Sequence, residues 1–175
     1  MASNTKRKIK VNLGSGEDYK EGWVNVDINT NSNPDIIHNL AIFPYPFEDE
    51  EAEEVMLNMV LEHLKDTHKV MAEVYRILKP GGKVSIIVPH YLHMSAWSDP
   101  DHKKAFAPNT FRYYDPKYGY ANSNGLTKFN LIKEEVRGIH YGDFEYFRFI
   151  PNSILKFLSF YIPGIVEDII VELRK

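Results

Sequence analysis

The stretch VNLGSGEDYKEGWVNVDIN, from Val11 to Asn29, decides the fold of this chain. Two apolar segments flank a turn that contains Gly14 and Gly16, and the second segment ends in Asp27. A glycine turn after a strand lets the backbone approach a ligand closely, because no side chain stands in the way. An acid at the tip of the next strand can accept hydrogen bonds from ribose hydroxyls. The pattern fits a nucleotide-type cofactor site, and it also fits a plain turn between two strands.

Two features separate this turn from the dinucleotide fingerprint. Tyr19 stands where the third glycine is required, and Asp27 follows Gly14 by thirteen residues, whereas the fingerprint places its acid roughly 20 residues on. From Gly14 to Gly22 there are nine residues, and a parallel crossover usually takes about a dozen or more. Either the first helix is a single turn or missing, or the two strands are not parallel.

The rest of the chain alternates strand and helix signals, which predicts one α/β domain over residues 1–175. Asp66 is placed to cap a helix that runs to about Leu78 and is stopped by Pro80-Gly81-Gly82. The apolar residues predicted on one face of that helix are Val70, Met71, Val74, Ile77 and Leu78. The first five predicted strands are residues 8–13, 23–28, 35–40, 55–60 and 83–89. Two more strands are predicted further on, at LTKFNLIKEEVRGIHY and DIIVELRK, and residues 152–161 are a second predicted helix. We expect a mostly parallel sheet in which DIIVELRK runs antiparallel beside FNLIKEEVRGI.

Composition excludes several classes of function. The net charge of -3 gives no overall positive field for nucleic acid, so we expect no nucleic-acid partner. The absence of cysteine excludes disulfides, thiolate metal sites and a cysteine nucleophile. We expect a cytoplasmic protein with a flexible arm at residues 1–7 and no stable membrane insertion, because no signal-peptide pattern or long apolar span is present. The segment ILKFLSFYIPGIV reads as a packed helix and its exit; the alternative is a membrane-surface or homodimer contact.

Five segments in order carry a family resemblance: VNLGSG, VNVDI, HNL followed by FPYPFED, VMLNMVLEHL and VMAEVYRILKPGGKVSIIVP. Together they resemble the class I S-adenosylmethionine-dependent methyltransferases, and most closely the small predicted methyltransferases with a shortened first helix. The resemblance covers about residues 8–89. It implies a Rossmann-like methyltransferase fold with an antiparallel C-terminal strand, S-adenosylmethionine as cofactor, and methyl transfer to an unidentified, small-molecule acceptor.

The resemblance also implies roles for individual residues. The loop around the methionine part of the cofactor would be Leu13, Gly14, Ser15 and Gly16; Asp27 would bind the ribose; Ile28, Asn39 and Leu40 would lie near the adenine; Asn58 and Met59 would line the end of the fourth strand. Two positions depart from the family pattern, because Asn12 and Asn39 stand where acids are commoner. Neither asparagine brings a negative charge toward the sulfonium.

Histidines are the candidates for general base, because methyl transfer to a hydroxyl or ammonium needs a proton acceptor near neutral pH. His90 is predicted at the tip of the fifth strand, where side chains face substrate. His63 and His102 are further candidates, although a Glu-His pair at residues 62–63 also recurs in this fold as packing beside the cofactor. We expect no metal, because HYLH at residues 90–93 lies on no helix face and its spacing fixes no ligand geometry.

The segment 90–125 is rich in aromatic residues and predicts a lid or substrate-binding segment, with Trp97 and Tyr113 as its covering side chains. The alternative is a core that extends over the edge of the sheet. Two alternatives to an enzyme also stay open at this point. One is a protein that binds S-adenosylmethionine or S-adenosylhomocysteine without catalysis, and the other is a partner-binding protein on the same fold.

Overall fold

A seven-stranded sheet organises the part of the chain that this computed structural model describes, residues 9–119, 127–141 and 144–175. The arm at 1–7, the end of the predicted lid at 120–125 and residues 142–143 lie outside the described residues. The strands are β1 (Ile9–Leu13), β2 (Val24–Asp27), β3 (Ile36–Ile37), β4 (Ala52–Asn58), β5 (Leu78–Pro89), β6 (Asn130–Gly138), β7 (His140–Tyr141), β8 (Phe144–Glu145) and β9 (Val166–Arg174). The helices are α1 (Thr67–Ile77), α2 (Ser95–Ser98) and α3 (Asn152–Leu158), and four 3-10 turns cover Thr30–Ser32, Leu61–His63, Thr110–Tyr114 and Pro116–Tyr118.

The strand order is β3-β2-β1-β4-β5-β9-β6. The first five strands of that order are parallel, and β9 runs antiparallel to both β5 and β6. The predicted mostly parallel sheet and its antiparallel C-terminal strand are therefore confirmed. In this order the chain reverses direction across the sheet between β1 and β4, so a crevice opens beyond the carboxyl ends of these two strands.

The short crossover from β1 to β2 contains no helix, and the two strands are nevertheless parallel, with Leu13 opposite Val26. Asn25 makes this possible because its side chain closes the loop. The Asn25 Oδ1 accepts the Lys20 N–H at 2.8 Å, and the Asn25 Nδ2 donates to the Lys20 carbonyl at 3.0 Å. The missing first helix is one of the two alternatives that the loop length predicts.

Helix α1 begins as the sequence predicts, because the Asp66 side chain accepts the Lys69 N–H at 3.1 Å. The predicted apolar face is buried against the sheet. Its residues Val70, Met71, Val74, Ile77 and Leu78 are at most 1% exposed. None of the helices in the described ranges has the length and apolar character that crossing a bilayer requires.

Several boundaries differ from the predicted ones. The third strand, predicted at 35–40, is only two residues long. Before it, the Asp35 carboxylate accepts hydrogen bonds from the backbone N–H and the side-chain amide of Asn25. After it, the His38 N–H donates to the Asp27 carbonyl and the chain turns away. Strand β4 begins three residues earlier than predicted, and β5 already begins at Leu78, with Pro80-Gly81-Gly82 inside an irregular first part. The predicted helix at 152–161 ends at Leu158.

Candidate active site

The loop after β1 is held tightly against β2. The N–H groups of Gly14 and Ser15 both donate to the Val26 carbonyl, at 2.7 and 3.0 Å. Gly14 has a φ of 70°, and a β-carbon added there would lie 2.5 Å from Val60 Cγ2. A side chain at residue 14 therefore meets both an unfavourable backbone conformation and an overlap with Val60. The loop needs glycine at this position to bring its backbone against the turn after β4.

The Asp27 carboxylate at the end of β2 faces this loop. Its Oδ2 accepts the Gly16 N–H and its Oδ1 accepts the Asn29 N–H, both at 2.7 Å. These two bonds fix the orientation of the carboxylate, and each oxygen keeps further lone-pair capacity for a ligand hydroxyl. With 9% of the residue exposed, Asp27 is buried enough for such a contact to be shielded from water.

A cavity of about 300 Å³, which we call the glycine-loop cavity, opens between this loop, the end of β3 and the turn after β4. Its lining is Gly14, Gly16, Asp27, Ile28, His38, Asn39, Leu40, Met59, Val60, His63 and Leu64. Seven of the ten residues predicted to bind the cofactor are therefore brought together at one cavity. Sequence reasoning missed Val60, the last residue of the predicted fourth strand, and Leu64, an apolar residue shortly after it, and it missed His38.

Three predicted cofactor residues do not line this cavity. Leu13 is fully buried in the core. Ser15 is 3% exposed, and its buried hydroxyl oxygen has no partner among the residues that the structure describes. The Asn58 amide lies 3.5 Å from the Asp18 carboxylate. Leu13 packs with Val11 and Val26 in the hydrophobic core.

Asn12 has a structural task that an acid could not perform. Its side-chain amide donates to the Asp18 carbonyl at 2.8 Å and to Asn25 Oδ1 at 3.1 Å. A carboxylate at residue 12 has no donor for either of these two acceptors. The amide thus stabilises the short loop that replaces the first helix.

The turn after β4 separates the glycine-loop cavity from a second cavity of about 400 Å³. We call the second one the acidic cavity; its lining is Met59, Glu62, His63, Pro89, Ser95, Ser98, Asp99, His102, Glu167 and Asp168. Met59 and His63 line both cavities. Met59 has a φ of 54°, which is uncommon for a residue with a side chain, and its N–H donates to the Ile87 carbonyl at 2.9 Å. The two cavities are neighbours across these two side chains.

Glu62 is the most unusual residue of the acidic cavity. It is 1% exposed, and neither oxygen of its carboxylate has a hydrogen-bond partner among the described residues. Burial raises the pKa of its carboxyl group to about 7. Beside it, the rings of His63 and His102 meet edge to face, with 4.6 Å between their centroids. The structure therefore brings two of the three predicted catalytic histidines together, next to a carboxylate that sequence reasoning did not single out.

His90 is not brought to this place. It is 1% exposed and lines neither the glycine-loop cavity nor the acidic cavity. Its Nδ1 accepts the Leu92 N–H at 3.3 Å, and its Nε2 is buried with no partner in the described part of the chain. Burial, with a smaller effect from His93, lowers the pKa of His90 to about 4. The geometry gives no support to the prediction that His90 is a base facing substrate.

The two side chains predicted to cover the site also lie elsewhere. Trp97 is 69% exposed, and its indole N–H donates to the Tyr91 carbonyl at 2.8 Å. Tyr113 lines a separate cavity of about 270 Å³ beside α1. Phe106, Phe111 and Tyr114 belong to the buried core, as the alternative interpretation of this segment predicts.

Comparison with known proteins agrees with the fold. A family model described as "Methyltransferase domain" matches residues 16–86. A demethylmenaquinone methyltransferase from Listeria welshimeri is 29% identical over 105 residues, which are 60% of this chain and 42% of that protein. The chain therefore spans less than half the length of this curated relative.

Solved structures resemble nearly the whole chain. A SAM-dependent methyltransferase from Archaeoglobus fulgidus has a TM-score of 0.66 and 19% identity, with 98% of this chain and 87% of that one covered. An S-adenosylmethionine-dependent methyltransferase from Mesorhizobium loti has a TM-score of 0.61 and 13% identity, with 95% and 90% covered. The sheet order, the matched domain model and these structures together show that the chain has the fold of the class I S-adenosylmethionine-dependent methyltransferases.

Proposed function

We propose that this chain binds S-adenosylmethionine in the glycine-loop cavity and transfers its methyl group to a small molecule in the acidic cavity. The observation that carries the proposal is the juxtaposition of an anchored carboxylate, Asp27, with a loop whose Gly14 and Gly16 leave the backbone bare. The carboxylate would hold the ribose hydroxyls. The apolar side chains of Ile28 and Leu40 on the same lining would contact the adenine ring.

The acidic cavity suits the acceptor because it adjoins the glycine-loop cavity along Met59 and His63. In the transfer, a lone pair of the acceptor forms a bond to the methyl carbon while the carbon–sulfur bond breaks and leaves a neutral thioether. The acceptor must also lose its proton if it reacts through a hydroxyl or an ammonium group. The proton acceptors on the lining are carboxylates and the two histidines, so the chemistry does not require His90.

The titration of S-adenosylhomocysteine by calorimetry tests the cofactor half of the proposal. Asp27→Ala is expected to weaken binding at least tenfold, about 1.4 kcal/mol, because a charge-assisted contact to the ribose is lost. Asp27→Asn keeps one acceptor oxygen and should lose less. Glu21→Ala is the matched control, because Glu21 is an exposed acid on the same loop and lies outside the cavity lining.

The outcomes separate this function from its rivals. Unchanged affinity in Asp27→Ala would remove the proposed ribose site, and no heat with the wild-type chain would favour a partner-binding protein. Binding without release of S-adenosylhomocysteine from S-adenosylmethionine, across a set of hydroxyl and amine acceptors, would favour the non-catalytic binding protein. A cytoplasmic location and a homodimer stay predictions.

A further inference from the structure

We propose that Glu62, His63 and His102 form a binding site for a divalent metal ion in the acidic cavity. One ligand atom from each of the three side chains lies within 4.8 Å of the others. A cation at the centre of these atoms would be no more than about 2.8 Å from each, so shifts of under about 1 Å reach the 2.0–2.2 Å of metal bonds to histidine and carboxylate. Two imidazoles and one carboxylate are typical ligands of Mn²⁺, Fe²⁺, Co²⁺ and Zn²⁺.

The buried carboxylate of Glu62 is the second observation that points to a cation. A buried carboxylate without partners is costly, so natural proteins pair such a group or bind a metal with it. A proton alone does not resolve the cost, because the neutral carboxyl still presents one donor and one acceptor without partners. The Oδ1 of Asp168, on the lining of the same cavity, is also buried and has no partner within the described ranges. Two carboxylates on the lining of one cavity therefore have unsatisfied oxygens.

The charges around the cavity favour a cation as well. Of the four carboxylates on its lining, Asp168 is paired with Arg137, and Glu167 lies 2.9 Å from His140 Nδ1. Among the described residues, no lysine or arginine nitrogen is within 4.0 Å of the carboxylates of Glu62 and Asp99. These two acids leave a local excess of negative charge that a divalent cation would neutralise.

Hydrogen bonds hold the ligands in a suitable arrangement before any metal binds. The Glu62 carbonyl accepts the N–H groups of Lys103 and Lys104, at 2.6 and 3.2 Å, which ties the His102 segment to the turn after β4. The Nδ1 of His102 lies 3.1 Å from the Ala96 carbonyl. Because that contact requires the proton on Nδ1, the Nε2 is left as the unprotonated ligand atom, as is usual for metal-bound histidine. Asp99 Oδ2, 3.8 Å from this Nε2, can add an oxygen ligand directly or through water.

A cation at this place would lie beside His63, on the boundary with the glycine-loop cavity. It would bind an oxygen of the acceptor and lower the pKa of an acceptor hydroxyl, whose proton then passes to Asp99 or to water. This role for the metal rests on the proposed function; the metal site itself does not. The structure therefore points to an acceptor that reacts through oxygen.

Titration of Mn²⁺ into the metal-free chain, carrying no histidine tag, tests the site by the loss of the free-ion electron paramagnetic resonance signal. One equivalent is expected to bind to the wild type, and Glu62→Gln and His102→Gln should each weaken binding at least about tenfold. Asp101→Asn and His93→Gln are the matched controls. Both residues belong to the same segment but line neither cavity, so they should leave the affinity unchanged within about twofold.

Thermal melting gives a second readout. Mn²⁺ at about 100 times the wild-type Kd should raise the wild-type Tm by about 5–10 °C and that of Glu62→Gln by no more than about half as much. Without metal, Glu62→Gln should melt no lower than the wild type, because an uncharged isostere replaces a buried unpaired carboxylate. No binding up to about 1 mM Mn²⁺ and Zn²⁺, or equal binding by wild type and Glu62→Gln, would overturn the site. Failure of S-adenosylhomocysteine to bind while Mn²⁺ still binds would instead overturn only the proposed function.

Discussion

The contact between Gly14 and Val60 predicts a large and specific loss of stability in Gly14→Ala. An alanine at a φ of 70° is left in the left-handed region, which costs about 1–2 kcal/mol. The new β-carbon would also lie 2.5 Å from Val60 Cγ2 and 3.1 Å from Val60 Cγ1. Rotation of the valine cannot relieve the overlap, because its second methyl group is also close and β-branched side chains are stiff. The overlap should add about 1–3 kcal/mol, as overpacking of a core does.

Gly22→Ala is the matched control for this substitution. Gly22 lies on the same loop with a φ of 78°, and a β-carbon added there meets no atom of another described residue within 4 Å beyond its chain neighbours. Gly22→Ala therefore has only the cost of placing an alanine in the left-handed backbone region. Both substitutions restrict the conformations of the unfolded chain equally. In urea denaturation, the free energy of unfolding should be about 2–5 kcal/mol lower than the wild-type value in Gly14→Ala and about 1–2 kcal/mol lower in Gly22→Ala.

A double-mutant cycle separates the two parts of the cost. Val60→Ala removes both methyl groups and should itself cost about 1–3 kcal/mol as a buried truncation. In the Val60→Ala background, the added cost of Gly14→Ala should fall to that of Gly22→Ala, which gives a coupling of about 1–3 kcal/mol. Equal losses in Gly14→Ala and Gly22→Ala, or no rescue by Val60→Ala, would show that the loop does not press on the turn after β4.

Two further predictions concern stability away from the glycine loop. The pKa of buried His90 is lowered to about 4, so the folded state resists its protonation and stability should fall as pH drops below about 6.5. In urea titrations, the free energy of unfolding should fall between pH 7 and pH 5 by about 2 kcal/mol more in the wild type than in His90→Asn. An equal fall in the two proteins would contradict the burial of the ring. Arg76 donates two hydrogen bonds to Glu73, at 2.9 and 2.8 Å, and others to two backbone carbonyls before β4. Arg76→Leu should lower the free energy of unfolding, measured by denaturation, by about 2–3 kcal/mol, and Arg76→Lys should recover less than half of this loss. Full recovery by lysine would contradict a contact that depends on two hydrogen bonds from the guanidinium to Glu73.

The glycine loop and its acid could be predicted from the sequence because their signals are local. Turn glycines, a strand that ends in Asp27 and a short crossover lie within seventeen residues of one another in the quoted stretch, from Val11 to Asp27. A parallel sheet brings the ends of β1 and β2 to the same edge whatever the rest of the chain does. These local signals alone also fit a plain turn, and the roles predicted for Ile28, Asn39 and Leu40 rest on the family resemblance.

His90 shows why the other half could not be predicted in the same way. The rule that residues at strand tips face substrate applies to the ends of parallel strands. Strand β5 is parallel to β4 on one side, but on its other side its last residue, Pro89, is paired with Asp168 of the antiparallel β9. The His90 N–H donates to the Glu167 carbonyl, and a bridge to Phe106 covers the residue from the other side. Both partners come from segments whose position depends on tertiary packing and not on local pattern.

The different positions of the Glu62 and His63 side chains could not be predicted from the sequence around them. Residues 61–63 form a 3-10 turn, and successive residues of such a turn point in different directions. His63 consequently reaches the boundary of both cavities, while the Glu62 side chain enters only the acidic one. Met59, held with a positive φ just before the turn, directs the chain to this place at a cost of about 1–2 kcal/mol. Val60, next to the same turn, lies against Gly14, so the glycine loop and the proposed metal ligands are supported by one segment of the chain.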